Sequence, residues 1–155
     1  MNLRIRPYQD TDLPRIKQIY NASKLDELRF ETQRYTLIPL EQDETRFEVF
    51  KKSALYLAER DDDVLGFGGR LGSEVSMLFV CPAARGFGVG KTLFEFLLGQ
   101  IDGATNLYVA KSNWPAKRLY EHYGFKVIRE FETEYNGIPV IANEMSCTFA
   151  NMQFN

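Results

Sequence analysis

One stretch of this sequence constrains how the rest of the chain can fold: Val80-Cys81-Pro82-Ala83-Ala84-Arg85-Gly86-Phe87-Gly88-Val89-Gly90-Lys91. The apolar run from Met77 to Val80 predicts a strand before it, and apolar residues at helical spacing from Leu93 to Leu97 predict a helix after it. A helix that begins in such a turn presents backbone N–H groups without intrahelical partners, together with the positive end of its dipole. Because the glycines let a phosphate approach the backbone and Arg85 adds a forked cation, the stretch predicts a pyrophosphate-binding turn.

Two nucleotide-binding motifs share features with this turn. A P-loop has a first glycine, four further residues and then Gly-Lys-Ser/Thr. Gly90-Lys91-Thr92 fits that end, but Arg85 stands where the first glycine belongs. The dinucleotide fingerprint needs a third glycine where this chain has Lys91. A P-loop nucleotide-binding protein therefore stays open as an alternative, on Gly90-Lys91-Thr92 alone.

The pattern Val-x-Pro-x-x-Arg-Gly-x-Gly-x-Gly, which begins at Val80, resembles the acetyl-CoA-binding motif of the GNAT N-acetyltransferase superfamily. A second segment, about 23 residues beyond the turn, is similar to another signature of that family, with matching residues at Asn113, Ala116, Leu119-Tyr120 and Gly124-Phe125. The resemblance covers nearly the whole chain. It implies an enzyme that transfers an acetyl group from acetyl-CoA to a primary amine of a small molecule or a peptide.

The resemblance also implies a fold. It is an α/β (α+β) architecture with a mixed, mostly antiparallel sheet of about six to seven strands and about four flanking helices. The sheet splays between the fourth and fifth strands, here Glu74 to Val80 and Thr105 to Ala110. A chain of 155 residues is long enough for one good core, so residues 1–155 are expected to form a single domain.

The other elements follow from periodicity and turn residues. Asp10 or Thr11 is expected to cap a first helix with an apolar face, and Asp61-Asp62-Asp63 and Asn136-Gly137 predict hairpin turns. The segment 23–40 mixes acidic and apolar residues and is expected to be a second, solvated helix, although the resemblance allows one wall of the acceptor pocket. Further strands are predicted over 3–7, 54–58, 64–69, 127–135 and 138–147, and further helices over 41–52, 89–100 and from about 115 to 123.

Site residues come from the resemblance. Tyr120 matches the position of the proposed general acid, and Glu74 lies where some members carry a general base, with a surface carboxylate as the alternative. The only histidine, His122, and the neighbouring Trp114 and Tyr123 are interpreted as structural residues. The implied cofactor contacts are the strand residues along the pantetheine arm, the turn around the pyrophosphate and one asparagine: Leu78, Phe79, Val80, Arg85, Gly86, Phe87, Gly88, Val89, Gly90, Lys91 and Asn113.

Composition excludes several other classes. A net charge of −2, from 19 basic and 21 acidic side chains, argues against a protein that binds nucleic acid by neutralising phosphates. Cys81 and Cys147 have neither metal-binding spacing nor a disulfide framework, so no metal is expected. The sequence shows no secretory apolar core and no run that could span a bilayer, which predicts a cytoplasmic protein with no membrane partner. A homodimer and a non-catalytic CoA-binding module stay open.

Overall fold

A computed structural model of the protein describes residues 2–148, so residue 1 and residues 149–155 of the expected single domain lie outside the described part. The regular elements, in chain order, are β1 (Arg4–Pro7), α1 (Leu13–Ser23), α2 (Glu44–Lys52), β2 (Ala54–Arg60), β3 (Asp63–Leu71), β4 (Glu74–Val80), α3 (Val89–Gly99), β5 (Thr105–Ala110), α4 (Trp114–His122), β6 (Lys126–Tyr135) and β7 (Ile138–Cys147).

The strands form one seven-stranded sheet in the order β1-β2-β3-β4-β5-β7-β6. Every neighbouring pair is antiparallel except β4 and β5, which run parallel and share a single paired position, Glu74 with Asn106. The mixed, mostly antiparallel sheet with four flanking helices is the predicted fold, and its central strands separate where the prediction places the splay.

Local turn chemistry accounts for the two predicted hairpins. Asp61 and Asp62 take positive φ between β2 and β3, as do Asn136 and Gly137 between β6 and β7. These are the residue types that tolerate the left-handed conformation that tight hairpin turns need. At α1 the predicted cap is wrong: residues 10–12 form a short 3-10 turn, and the helix begins at Leu13 with Asp12 at its N-cap. Asp12 does not cap the helix, because its carboxylate instead pairs with Arg6 and accepts the Gln9 N–H.

The core lies on both faces of the sheet. On one face α1 and α2 bury a cluster that includes Ile16, Tyr20 and Phe50, and on the other face α3 buries Phe94 and Leu97. The glycines of β3 allow α3 to pack closely, because a Cβ on Gly68 would lie 2.8 Å from Leu97 Cδ1. This close packing holds α3, and the turn that precedes it, against β3.

The segment 23–40 differs from the predicted solvated helix. It has a 3-10 turn over Lys24–Leu28, in which Lys24 and Leu28 are buried. The Lys24 ammonium lies over the rings of nearby Tyr20 and of distant Tyr135, and it pairs with the Glu27 carboxylate at 3.0 Å. We call residues 24–31 the bridging segment, because its side chains reach both sides of the splay. Asp26 forms an ion pair with Arg85, and Glu31 accepts a hydrogen bond from Ser112.

Candidate active site

The splay between β4 and β5 opens a gap in the middle of the sheet. After Glu74 pairs with Asn106, β4 continues to pair only with β3, so its other edge faces the gap up to Val80. An extra residue on β4 at Ser76 shifts its register with β3, and a bulge of this kind turns side chains and increases twist. The backbone groups on this edge of β4 are therefore available to a ligand.

A cleft of about 540 Å³ runs from this gap to the glycine-rich turn. It is lined by the end of β4, the turn, the start of α4 and part of the bridging segment. Every predicted cofactor residue lies along it except Phe87, which is 58% exposed and does not line the cleft. We call it the cofactor cleft.

The turn has the geometry that its sequence predicts. Gly86 and Gly88 have φ of 83° and 81°, in the region that residues with a Cβ avoid, and Gly88 is the N-cap of α3. The first amide to donate within the helix is that of Thr92, 3.0 Å from the Gly88 carbonyl, and the preceding N–H groups of the helix are free of intrahelical acceptors. Arg85 stands beside them and is held by the Asp26 carboxylate.

A second, smaller cavity of about 140 Å³ lies between the separating strands on the Glu74 side. Its walls carry the charged side chains Lys24, Glu27, Arg46 and Glu74, with Tyr20 among the apolar groups. We call it the acceptor cavity. The residues that line both this cavity and the cofactor cleft mark the junction between them: Glu27, Leu78, Phe79, Asn113 and Tyr120.

Tyr120 therefore lies where the two spaces meet. Its ring packs 5.1 Å from that of Phe94, which anchors it to α3. Burial raises the pKa of its hydroxyl, and the negative charge of Glu27 raises it further. The hydroxyl stays protonated and can donate a hydrogen bond into the junction.

Two carboxylates are candidates for a base. Glu74 lines the acceptor cavity but not the cofactor cleft, and burial raises its pKa, an effect that Arg46 opposes and Glu144 reinforces. Glu27 lines both spaces and lies at the junction itself. Sequence reasoning missed Glu27 because it lies in a segment without periodicity, and the only signal was the family position of that segment beside the acceptor pocket.

The other residues singled out in the sequence lie apart from the junction. His122 is exposed at the end of α4, so its structural interpretation stays a prediction. Tyr123 is buried, with its hydroxyl 2.7 Å from Glu95 Oε2, as expected of a packing residue. Trp114 is half exposed, with its ring 5.6 Å from that of Phe30, rather than packed in the core. Both cysteines are free thiols, and residues 2–148 contain no group of three or more side chains arranged to hold a metal ion.

A glycine-rich turn that leads into a helix N-terminus beside a splayed strand pair is suited to bind a phosphate-bearing ligand. The family model described as "Acetyltransferase (GNAT) domain" matches residues 21–148. The chain belongs to the GNAT acetyltransferase family. This membership excludes the P-loop alternative, which the missing first glycine had already weakened.

Similar proteins agree with the family. Peptidyl-lysine N-acetyltransferase YjaB from Salmonella typhimurium is 33% identical over 100 residues, which are 64% of this chain and 68% of that protein. Mycothiol acetyltransferase from Thermomonospora curvata is 40% identical over 86 residues, but these cover 49% of this chain and only 29% of that longer protein. The structure of YncA from Salmonella typhimurium with its cofactor acetyl-CoA has the same fold, with a TM-score of 0.70, 18% identity and coverage of 96% and 94%. Within residues 2–148, no helix is long and apolar enough to cross a membrane.

Proposed function

We propose that the protein transfers the acetyl group of acetyl-CoA to a primary amine by direct attack. The observation that carries this proposal is the meeting of two spaces at Tyr120, one beside the glycine-rich turn and one between the separating strands. An amine in the acceptor cavity would reach a thioester that the cofactor cleft holds at the junction. We also retain the expectations of a cytoplasmic protein and of a single domain.

The cofactor would lie along the cofactor cleft. Its pyrophosphate would bind the N–H groups of the turn and Arg85, and its pantetheine arm would pair with the free edge of β4 from Leu78 to Val80, as another strand would. Asn113 stands at the junction, beside the place for the thioester. The acetyl-CoA carried by YncA, which shares the fold, supports this cofactor.

The chemistry needs a neutral amine. An alkyl amine with a pKa of about 10.4 is neutral in roughly one molecule in 2,500 at pH 7, so deprotonation costs about 4.6 kcal/mol. Glu74 or Glu27 would take that proton, directly or through water. The nitrogen lone pair then forms a C–N bond to the thioester carbon, the C–S bond breaks, and the electron pair leaves with the sulfur. The amide nitrogen loses its extra proton to solvent, or to the same carboxylate once that group has passed its first proton to water.

Tyr120 would act on the leaving sulfur. The leaving thiolate, whose conjugate thiol has a pKa of about 8.5, is a weaker base than a tyrosinate, whose phenol has a pKa of about 10. Full transfer of the tyrosine proton is therefore unfavourable, and burial of the tyrosine hydroxyl increases the difference. The hydroxyl is therefore best suited to donate a hydrogen bond to the sulfur as its negative charge develops, and the thiolate gains its proton when the product leaves.

Tyr120→Phe tests this role because it keeps the ring and removes only the hydroxyl. We expect the turnover number to fall by roughly tenfold to ten-thousandfold, with acetyl-CoA affinity by calorimetry and melting temperature nearly unchanged. Tyr56→Phe is the matched control, since Tyr56 packs on Phe96 away from both spaces. Equal turnover in the two variants would make Tyr120 a packing residue. Acetyl-CoA binding without turnover on any amine would favour a CoA-binding module instead.

A further inference from the structure

The two cations that line the acceptor cavity differ in how they are paired. The Lys24 ammonium is buried and held by Glu27 at 3.0 Å. The Arg46 guanidinium forms no ion pair and no side-chain hydrogen bond with any residue in the described part of the chain, although the Arg46 backbone N–H is fixed by the Asp43 carboxylate at 3.2 Å. Arg46, an exposed residue, thus brings a positive charge without a side-chain partner to the cavity wall.

Tyr20, another residue that lines this cavity, has a buried hydroxyl that lacks a partner. Tyr20 is fully buried, and its hydroxyl has no hydrogen-bond partner among residues 2–148. Burial raises the pKa of this hydroxyl; the charge of Arg46 opposes that rise, and the charges of Glu27 and Asp43 add to it, so the guanidinium acts on the same site as these carboxylates. An unsatisfied buried donor is costly and calls for an explanation. An anionic group between Arg46 and Tyr20 would satisfy both.

The remaining charges describe the other end of such a ligand. Since Lys24 and Glu27 neutralise each other, Arg46 and Glu74 are left as one positive and one negative group on the walls of one cavity. Burial raises the pKa of Glu74 and the charge of Arg46 partly offsets that rise, so the two charges interact across the cavity. A ligand with an ammonium and an anion complements this pair.

Volume limits the size of the ligand. At about 30 Å³ of liquid volume per water molecule, a cavity of about 140 Å³ holds about five waters, or a group of comparable size. We propose, on the basis of the acetyl transfer proposed above, that the acceptor is a small primary amine carrying an anionic group, such as an amino acid, and that Arg46 and the Tyr20 hydroxyl bind the anion.

The test uses matched amines that differ only in the anion. The pairs are L-methionine with L-methioninamide, glycine with glycinamide, and phosphoethanolamine with ethanolamine, the last pair separating phosphate from carboxylate. Binding to the CoA-loaded protein is measured by calorimetry, and acetylation is measured separately with acetyl-CoA. The proteins are wild type, Arg46→Gln, Tyr20→Phe and Lys52→Gln, which removes a positive charge from the same helix outside both spaces.

We expect at least one anionic amine to bind more tightly than its neutral partner. Arg46→Gln should weaken its binding and raise its KM by about tenfold to a hundredfold, the range of a charge-assisted hydrogen bond, without changing the KM for acetyl-CoA. Tyr20→Phe should weaken the binding of the same ligands without lowering the melting temperature. Loss of a purely structural hydroxyl would not produce this combination. Lys52→Gln should behave as wild type.

The outcomes separate the two proposals. If an anionic amine binds through Arg46 but no amine is acetylated, the acetyl transfer is wrong and the binding site stands. If neutral amines or a lysine-containing peptide are acetylated as well as the anionic amines, or if Arg46→Gln weakens both members of each pair equally, the anion site is wrong and the acetyl transfer stands. Failure of every anionic amine to bind also overturns the anion site.

Discussion

Asp26 should weaken cofactor binding, because it pairs with Arg85, whose guanidinium the pyrophosphate would need. Its carboxylate pairs with Arg85 at the edge of the cofactor cleft, and both residues line that cleft. To bind a phosphate through its full set of donors, Arg85 has to give up this partner. Asp26→Asn removes the negative charge and keeps the size of the side chain.

The magnitude follows from how exposed the pair is. The side chains of Arg85 and Asp26 are 44% and 40% exposed, so solvent screens much of their attraction. Pairs of this kind contribute about 0.2–1 kcal/mol, which corresponds to about a 1.4- to 5-fold change in a dissociation constant. We therefore expect Asp26→Asn to bind acetyl-CoA up to about fivefold more tightly at low salt.

Calorimetric titration with acetyl-CoA measures the effect. Near 1 M salt, where the Debye length is about 3 Å, the difference between Asp26→Asn and wild type should nearly vanish. Asp61→Asn is the matched control, because it makes the same charge change at the β2–β3 turn, where Asn tolerates the positive φ of 52°. Unchanged affinity in Asp26→Asn, or an equal gain in Asp61→Asn, would refute the competition.

Two further predictions concern the base and the stability of the fold. Glu74→Gln and Glu27→Gln should identify the base. The variant that lacks the base will have a lower turnover number near pH 7 and will lose the acidic limb of its pH–rate profile, and its turnover number will partly recover as the pH rises toward the pKa of the amine. The other variant will keep the wild-type profile. Arg6 donates to Asp12 and Glu59 at 2.9–3.0 Å, and these hydrogen bonds lower the pKa of both carboxyl groups. Their stabilisation is therefore fully present above the ordinary carboxyl pKa of about 4 and is lost as the pH falls through the lowered values. Arg6→Met should lower the free energy of unfolding in urea by about 1–3 kcal/mol at pH 7, and a difference that stays constant down to pH 2 would contradict this account.

The parts of the fold that sequence predicted well depend on short-range rules. Asn136-Gly137 selects a hairpin because both residues tolerate positive φ, and Gly88 starts α3 for the same reason. The second family signature predicted α4, because Pro115 fits the first turn of a helix and Gly124, with a φ of 92°, follows the last turn. In each case the residues that decide the structure are neighbours in the chain.

The bridging segment was predicted wrongly because its partners are far away in sequence. Lys24 reads as a surface residue, but Tyr135, more than a hundred residues later, contributes the ring beneath its ammonium. Burial of Lys24 and Leu28 replaces the expected solvated helix with a short 3-10 turn, and that turn places Glu27 at the junction. No periodicity rule contains this information, since it depends on how the β6–β7 hairpin packs against the bridging segment.

The bridging segment also explains why the two spaces remain distinct although they meet. Asp26 ties it to the turn on the cofactor side, and Glu31 ties it to Ser112 just after β5. Between these two attachments, Glu27 faces the junction and holds Lys24 in the acceptor wall. A ligand that takes Arg85 from Asp26 releases only the first attachment, because the contacts of Lys24 and Glu31 do not involve the turn. The acceptor cavity should therefore keep its shape when the cofactor binds, and Asp26→Asn should change the KM for acetyl-CoA while leaving the KM for the amine unaltered.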